Sequence, residues 1–190
     1  MTDRSTISFK PPTGQRDHIQ GSPTAIVTLV EYGDYQCPFC GDTYPIIKML
    51  QEHFGDQLRF VFRNFPLTRV HAYAQGAAEA AEAAGAQGKF WEMHDYLFEH
   101  QYALDTGNLL RAAVALGLDK VKFELDVTER AYAGRVREDV ESGIACGVRA
   151  TPTMFVNGVR NDGDDDFETL GAMIEEAILL GQSSTESRRS

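Results

Sequence analysis

Two cysteines separated by two residues, Cys37-Pro38-Phe39-Cys40, are the arrangement in this chain best suited to chemistry. A thiolate attacks a disulfide, and a second thiol nearby displaces the mixed disulfide so formed. The same spacing also serves as half of a zinc site, so context has to decide. The pair follows a nearly continuous apolar run, Ala25–Tyr32, and a break at Gly33-Asp34. A helical pattern starts near Cys37. At a helix N-terminus the first N–H groups lack partners and the dipole favours negative charge, so a thiolate at Cys37 is stabilised. Pro38 suits the first helical position. Cys40 opens an apolar stripe with Tyr44, Ile47, Leu50 and Phe54, and should be the more buried of the two thiols. Cys37 is therefore the expected nucleophile and Cys40 the resolving thiol. Cys146, His53 and His71 lack ligand-like spacing to the pair, so no metal is expected. No cofactor is expected either.

The elements around the pair follow from periodicity. Ala25–Tyr32 reads as a strand buried on both faces. Gln57–Phe62 alternates and reads as a second strand, giving a strand–helix–strand unit with Pro45 inside the helix. Residues 68–146 are helical, with predicted helices at Tyr73–Ala84, Phe90–His100, Leu109–Leu116 and Ala131–Cys146. Ala77, Ala80, Ala81 and Ala84 would let helices approach closely, and the stripe from Phe90 to Phe98 reads as core. Thr153–Asn157 is a third strand. Asn157-Gly158 predicts a tight hairpin into Val159–Arg160. Phe167–Leu180 is a final amphipathic helix, with Asp166 as its cap. The acidic run Asp162, Asp164, Asp165, Asp166 lacks the spacing of a calcium loop.

The domain reading is an extended lead-in over 1–23, with a short edge strand at Ile7–Phe9. One domain covers 24–66 and 147–181, a helical insertion covers 67–146, and a polar tail covers 182–190. Apolar residues make up 43% of 190, enough for a sizeable core. The net charge of −10 argues against nucleic acid and anionic membrane surfaces as partners. The polar N-terminal stretch has no basic start followed by an apolar run, which predicts a cytoplasmic protein, or a periplasmic one if a leader has been trimmed.

VEYGDYQCPFC resembles the active-site segment of the DsbA-like branch of the thioredoxin superfamily, and GKFWEMHDYLF and ATPTMFVNG resemble later segments of that branch. The similarity covers about residues 20–180. It implies an α/β thioredoxin fold (βαβ-ββα) with an inserted helical domain. It implies a cis-proline at Thr151-Pro152, facing the Cys pair, with the Thr151 backbone pairing with a substrate peptide. Substrate contacts would also involve Pro38 and Phe39. Glu31 matches an acidic position beneath the pair, where burial would raise its pKa and let it take the Cys40 proton. Cys146 could approach as a third thiol, but reads better as a small residue at a helix end. His71 could line the groove or begin a helix.

The implied activity is disulfide exchange with protein or peptide substrates, together with a redox partner the sequence does not identify. Strongly oxidising relatives carry histidine where this chain has Phe39. With Asp34 and Asp42 flanking the pair, Cys37 is expected to titrate above the ~3.5 of DsbA, which leans the couple toward reduction. Two other readings stay open. One is a glutathione-dependent transferase or isomerase of the kappa and hydroxychromene-carboxylate type, whose members usually lack the second cysteine. The other is a non-catalytic peptide-binding module.

Overall fold

The computed structural model describes residues 16–186, so the edge strand expected at Ile7–Phe9 lies outside the described residues. One five-stranded sheet holds β1 (His18–Gly21), β2 (Val27–Gly33), β3 (Leu58–Asn64), β4 (Thr153–Val156) and β5 (Val159–Arg160), in the order β1-β3-β2-β4-β5. β2 is central, and all seven of its residues are buried, as its unbroken apolar run requires. β1 pairs antiparallel with β3, His18 opposite Phe62. It lies in the polar lead-in. Edge strands gain little burial, so HIQG shows no alternation to read.

Helices α1 (Pro38–Phe54), α2 (Ala74–Gly85), α3 (Phe90–Glu99), α4 (Thr106–Ala115), α5 (Lys120–Thr128), α6 (Ala133–Ala145) and α7 (Phe167–Glu186) complete the fold, with a short 3-10 turn at Gly55–Gln57. The result is the mixed α/β arrangement expected of a thioredoxin fold with an added helical region. α5 escapes the periodicity because Phe123 is its only buried residue; Asp119 starts it by accepting from Lys122 N–H at 3.0 Å. α7 runs to Glu186, six residues past the end of its apolar pattern at Leu180.

Contacts divide the chain into two units. The first combines Pro45–Arg63 and Thr153 onward with the described residues up to Glu31. Here the Asn157-Gly158 hairpin turns with positive φ at both residues, 47° and 86°, the geometry that twists with the flanking strands. Asn157 also exchanges bonds with β2: its Oδ1 accepts from Thr28 N–H at 2.8 Å, and its own N–H donates to the Thr28 carbonyl at 2.9 Å. Asp166 caps α7 through Thr169 N–H at 2.7 Å. His53 packs edge-on against Phe167.

The second unit holds Tyr32–Tyr44 and Asn64–Pro152. Ala77, Ala80, Ala81 and Ala84 of α2 are fully buried, as close helix packing demands. Two glutamates on the same helix are buried as well, and each finds a partner. Glu79 meets Arg130 at 2.7 Å, and Glu82 accepts from Asn64 Nδ2 at 2.7 Å. Asn64 N–H donates to Asp139, whose carboxyl also pairs with Arg135. Burial pushes Asp139 above the ordinary carboxylate range, and Arg135 opposes that shift.

Gly143 of α6 lies against two rings: a Cβ there would sit 2.8 Å from Phe65 and 3.0 Å from Tyr32. Alanine improves helix propensity by about 1 kcal/mol, but overpacking a core costs about 1–3 kcal/mol. Gly143→Ala is therefore expected to lower unfolding free energy by about 1 kcal/mol, read as a lower urea midpoint with an unchanged slope.

Candidate active site

The reactive segment lies entirely within the second unit. Asp34–Cys37 links β2 to α1. Cys37 N–H donates to the Asp34 carbonyl at 3.0 Å, and Gly41 N–H donates to the Cys37 carbonyl at 3.1 Å. Cys37 therefore caps α1, with its sulfur beside the first free N–H groups of the helix. Both thiols are free and buried, Cys37 at 3% exposure and Cys40 at 0%. The Cys37 thiol reaches the carbonyl of Thr151 at 3.3 Å. Thr151-Pro152 is cis. Pro38 and Phe39 are exposed.

Cys37 is held well below the ordinary thiol range, at about 5. The Cys40 side chain is the largest cause. Burial opposes it, while the Thr151 side chain and the N–H groups of Cys40 and Phe39 add to it. The Thr151 hydroxyl is buried without a partner of its own, and so is free to donate to the thiolate. A value near 5 lies above the ~3.5 of DsbA and below the ~7 of thioredoxin.

Asp34, one of the two aspartates flanking the pair, is tied into the loops around it. It is 1% exposed. Its Oδ1 accepts from Gln36 N–H at 2.8 Å, and its Oδ2 from Leu67 N–H and His71 Nδ1, each at 2.8 Å. These donors replace its hydration, and its own N–H points at the Cys40 sulfur at 3.5 Å. Asp42 is exposed and screened by water. His71 thus belongs to the loop tied to Asp34 and does not begin a helix, since α2 starts at Ala74. Gln36 extends the tie by accepting from Tyr73 N–H at 2.6 Å. An aspartate two residues before the N–H that donates to it is a legible signal; the Leu67 and His71 partners have none.

A second attachment was also invisible in the sequence. Gln101, in the turn between α3 and α4, donates from Nε2 to the carbonyls of Tyr35 and Cys37, both at 2.9 Å. Tyr35 OH meets His94 Nδ1 at 3.1 Å within the α3 core. Glu31 is buried in β2 and belongs to the first unit. Cys146 is half-buried at the C-terminal end of α6, consistent with a small residue closing a helix. His53 packs on Phe54 and Phe167.

A family model described as "Thioredoxin" matches residues 13–176. Among solved structures, BdbD of Bacillus subtilis superposes with a TM-score of 0.80 at 25% identity, covering 88% of this chain and 96% of that one. A thioredoxin-like oxidoreductase of Silicibacter pomeroyi gives 0.78 at 24% identity, covering 93% and 98%. The chain is also 47% identical over 168 residues to the Na(+)/H(+) antiporter NhaA 1 of Salinispora arenicola, covering 88% of this chain but 26% of that protein. It is 46% identical to a Mycobacterium protein of the same name, covering 87% and 27%. The chain thus spans about a quarter of the length of these curated relatives.

The structural likenesses correct the cytoplasmic expectation. DsbA-like oxidoreductases work in an oxidising, extracytoplasmic environment. The polar residues 1–23 carried that expectation, and their composition says nothing about the redox setting in which a thiol pair operates.

Alkylation of reduced Cys37 should follow its thiolate, rising to half its maximum near pH 5. Because the folded value is depressed from 9.0, thiolate stabilisation supports the reduced fold fully above that pH and is lost as pH falls through about 5. Thr151→Val removes the hydroxyl donor. It should move the alkylation midpoint up by about one pH unit, since a hydrogen bond to a charged group contributes about 1.5–3 kcal/mol.

Proposed function

Since the chain belongs to the DsbA-like branch of the thioredoxin family, we propose that it is a thiol–disulfide oxidoreductase acting on protein or peptide substrates through Cys37 and Cys40. The observation that carries this reading is the depressed Cys37 thiol at the N-terminus of α1, against the Thr151 carbonyl and one turn from a buried second thiol.

In the reducing direction, the Cys37 thiolate attacks one sulfur of a substrate disulfide. The Cys37–substrate bond forms, the substrate S–S bond breaks, and the second substrate sulfur leaves as a thiolate. Cys40 then loses its proton and attacks the Cys37 sulfur, which releases the first substrate sulfur. Two electrons pass to the substrate, and the protein keeps a Cys37–Cys40 disulfide. The same steps in reverse oxidise a dithiol substrate. The Asp34 N–H favours the Cys40 thiolate during resolution. The substrate backbone is proposed to lie along Thr151-Pro152, with the exposed Pro38 and Phe39 giving it apolar contact.

The direction is set by the couple and by the partner. Phe39 supplies no positive charge, which supports a couple less oxidising than DsbA. Among the described residues no helix is long and apolar enough to cross a membrane, and the ion transport in the antiporter relatives' name is not proposed for this chain.

Cys40→Ser should trap mixed disulfides with protein substrates that reductant releases, and Cys37→Ser should trap none and lose exchange activity by at least about a thousandfold. Retention of exchange activity by Cys37→Ser would sink the proposal.

A further inference from the structure

A Cys37 thiolate draws on groups that are fixed relative to one another: the N–H of Phe39, the N–H of Cys40 and the Thr151 loop. The first two belong to the same turn as Cys37. Their aim at the sulfur depends on how the peptide planes from Tyr35 to Pro38 are turned. Something must hold those planes.

One side chain reaches them from outside the turn. The Gln101 NH2 group uses both of its hydrogens, one on the Tyr35 carbonyl and one on the Cys37 carbonyl, at 2.9 Å each. These carbonyls bracket Gln36 and lie immediately before α1. The Cys37 carbonyl already takes the first helical bond from Gly41 N–H. Gln101 thus adds a second donor to the acceptor that starts the helix.

The platform beneath Gln101 is firm. His100 stacks on Tyr96 at 4.1 Å between ring centroids, and its Nδ1 lies 2.8 Å from the Tyr96 carbonyl. Ala103 N–H donates to the His100 carbonyl at 2.8 Å. α3 is tied in turn to the active-site segment by the Tyr35 hydroxyl on His94 and by the Tyr35–Phe98 ring contact.

Gly41 completes the arrangement. A Cβ there would overlap the Gln101 carboxamide oxygen and lie 2.8 Å from its carbon. Glycine inside a helix costs about 1 kcal/mol relative to alanine, so its presence one residue after Cys40 is locally unfavourable. The space it leaves is the space the carboxamide fills.

We propose that Gln101 is a positioning residue for the redox pair: its carboxamide, admitted by Gly41, staples the Tyr35 and Cys37 carbonyls and so aims the α1 N-terminus at the Cys37 sulfur. The inference rests on Cys37–Cys40 being the redox pair. It adds that the thiolate is tuned from the helical region, by a residue that touches neither sulfur.

The test uses Gln101→Met, which keeps length and loses both donors, and Gly41→Ala, which displaces the carboxamide while leaving Gln101 in the chain. Each is measured for the pH dependence of Cys37 alkylation, for the equilibrium of protein dithiol plus oxidised glutathione with protein disulfide plus two reduced glutathiones, and for thermal unfolding. Both variants should raise the Cys37 midpoint by about half to one pH unit. Both should shift the glutathione equilibrium roughly three- to tenfold toward protein disulfide. Gly41→Ala should do so with thermal stability equal to or above wild type, because a merely structural change at this helical glycine favours the fold. If Gln101→Met fails to fold, Gly41→Ala carries the test alone. Wild-type midpoints and equilibria in the variants would overturn the positioning role, whatever happens to stability. A wild-type pair that takes no part in glutathione exchange would overturn the proposed function instead.

Discussion

A carboxylate taken out of water costs several kcal/mol unless hydrogen-bond donors replace its hydration. Asp34 is such a group, and the geometry of the reactive segment depends on how its charge is met. Two backbone N–H groups and the His71 imidazole surround it, drawn from its own turn and from the stretch after β3. The same stretch is held by Phe65 N–H on the Gly33 carbonyl at 2.7 Å. Removing the charge would strand those donors and free both loops together. Cys37 ends the shorter of the two and Cys40 lies in the helix that follows, so the placement of the pair follows from satisfying this one buried carboxylate.

The helical unit supplies the rigidity. Its alanine-faced α2 lets neighbours come close, and the glutamates buried on that helix are matched by Arg130 and Asn64. A polar network of this kind holds its members in one arrangement because any slip leaves a charge unpaired. α3 passes that order to the active segment through the His94–Tyr35 contact and the Gln101 bonds. The thiol chemistry is local, while the parts that aim it are distributed over residues far apart in sequence.

How much of this was legible follows from which forces leave a pattern. β2, β3, the Asn157-Gly158 hairpin and six of the seven described helices were readable because burial with a fixed period writes itself into residue order. The cis Thr151-Pro152 came from resemblance. β1 and α5 were missed because an edge strand and a helix with one buried residue carry almost no periodic signal. Asp34 was read by its charge alone; two of its three donors lie 33 and 37 positions on, beyond any local rule. Gln101 was missed for the same reason. A glutamine in a polar turn looks like solvent-facing surface until the carbonyls it meets are known. Gly41 was passed over because a glycine in a helix has no meaning without the neighbour that needs the room.

The bond from the Cys37 thiol to the Thr151 carbonyl joins residues 114 positions apart. A ribosome makes the nucleophile early and its counterpart late, and at about 5–20 residues per second the interval lasts for seconds. Throughout it, Cys37 belongs to a nascent chain without its Thr151 partner. The Cys37–Thr151 contact therefore exists only after residue 151 has been added. A fragment ending before residue 151 would carry both cysteines and lack the carbonyl and hydroxyl that Thr151 brings to them.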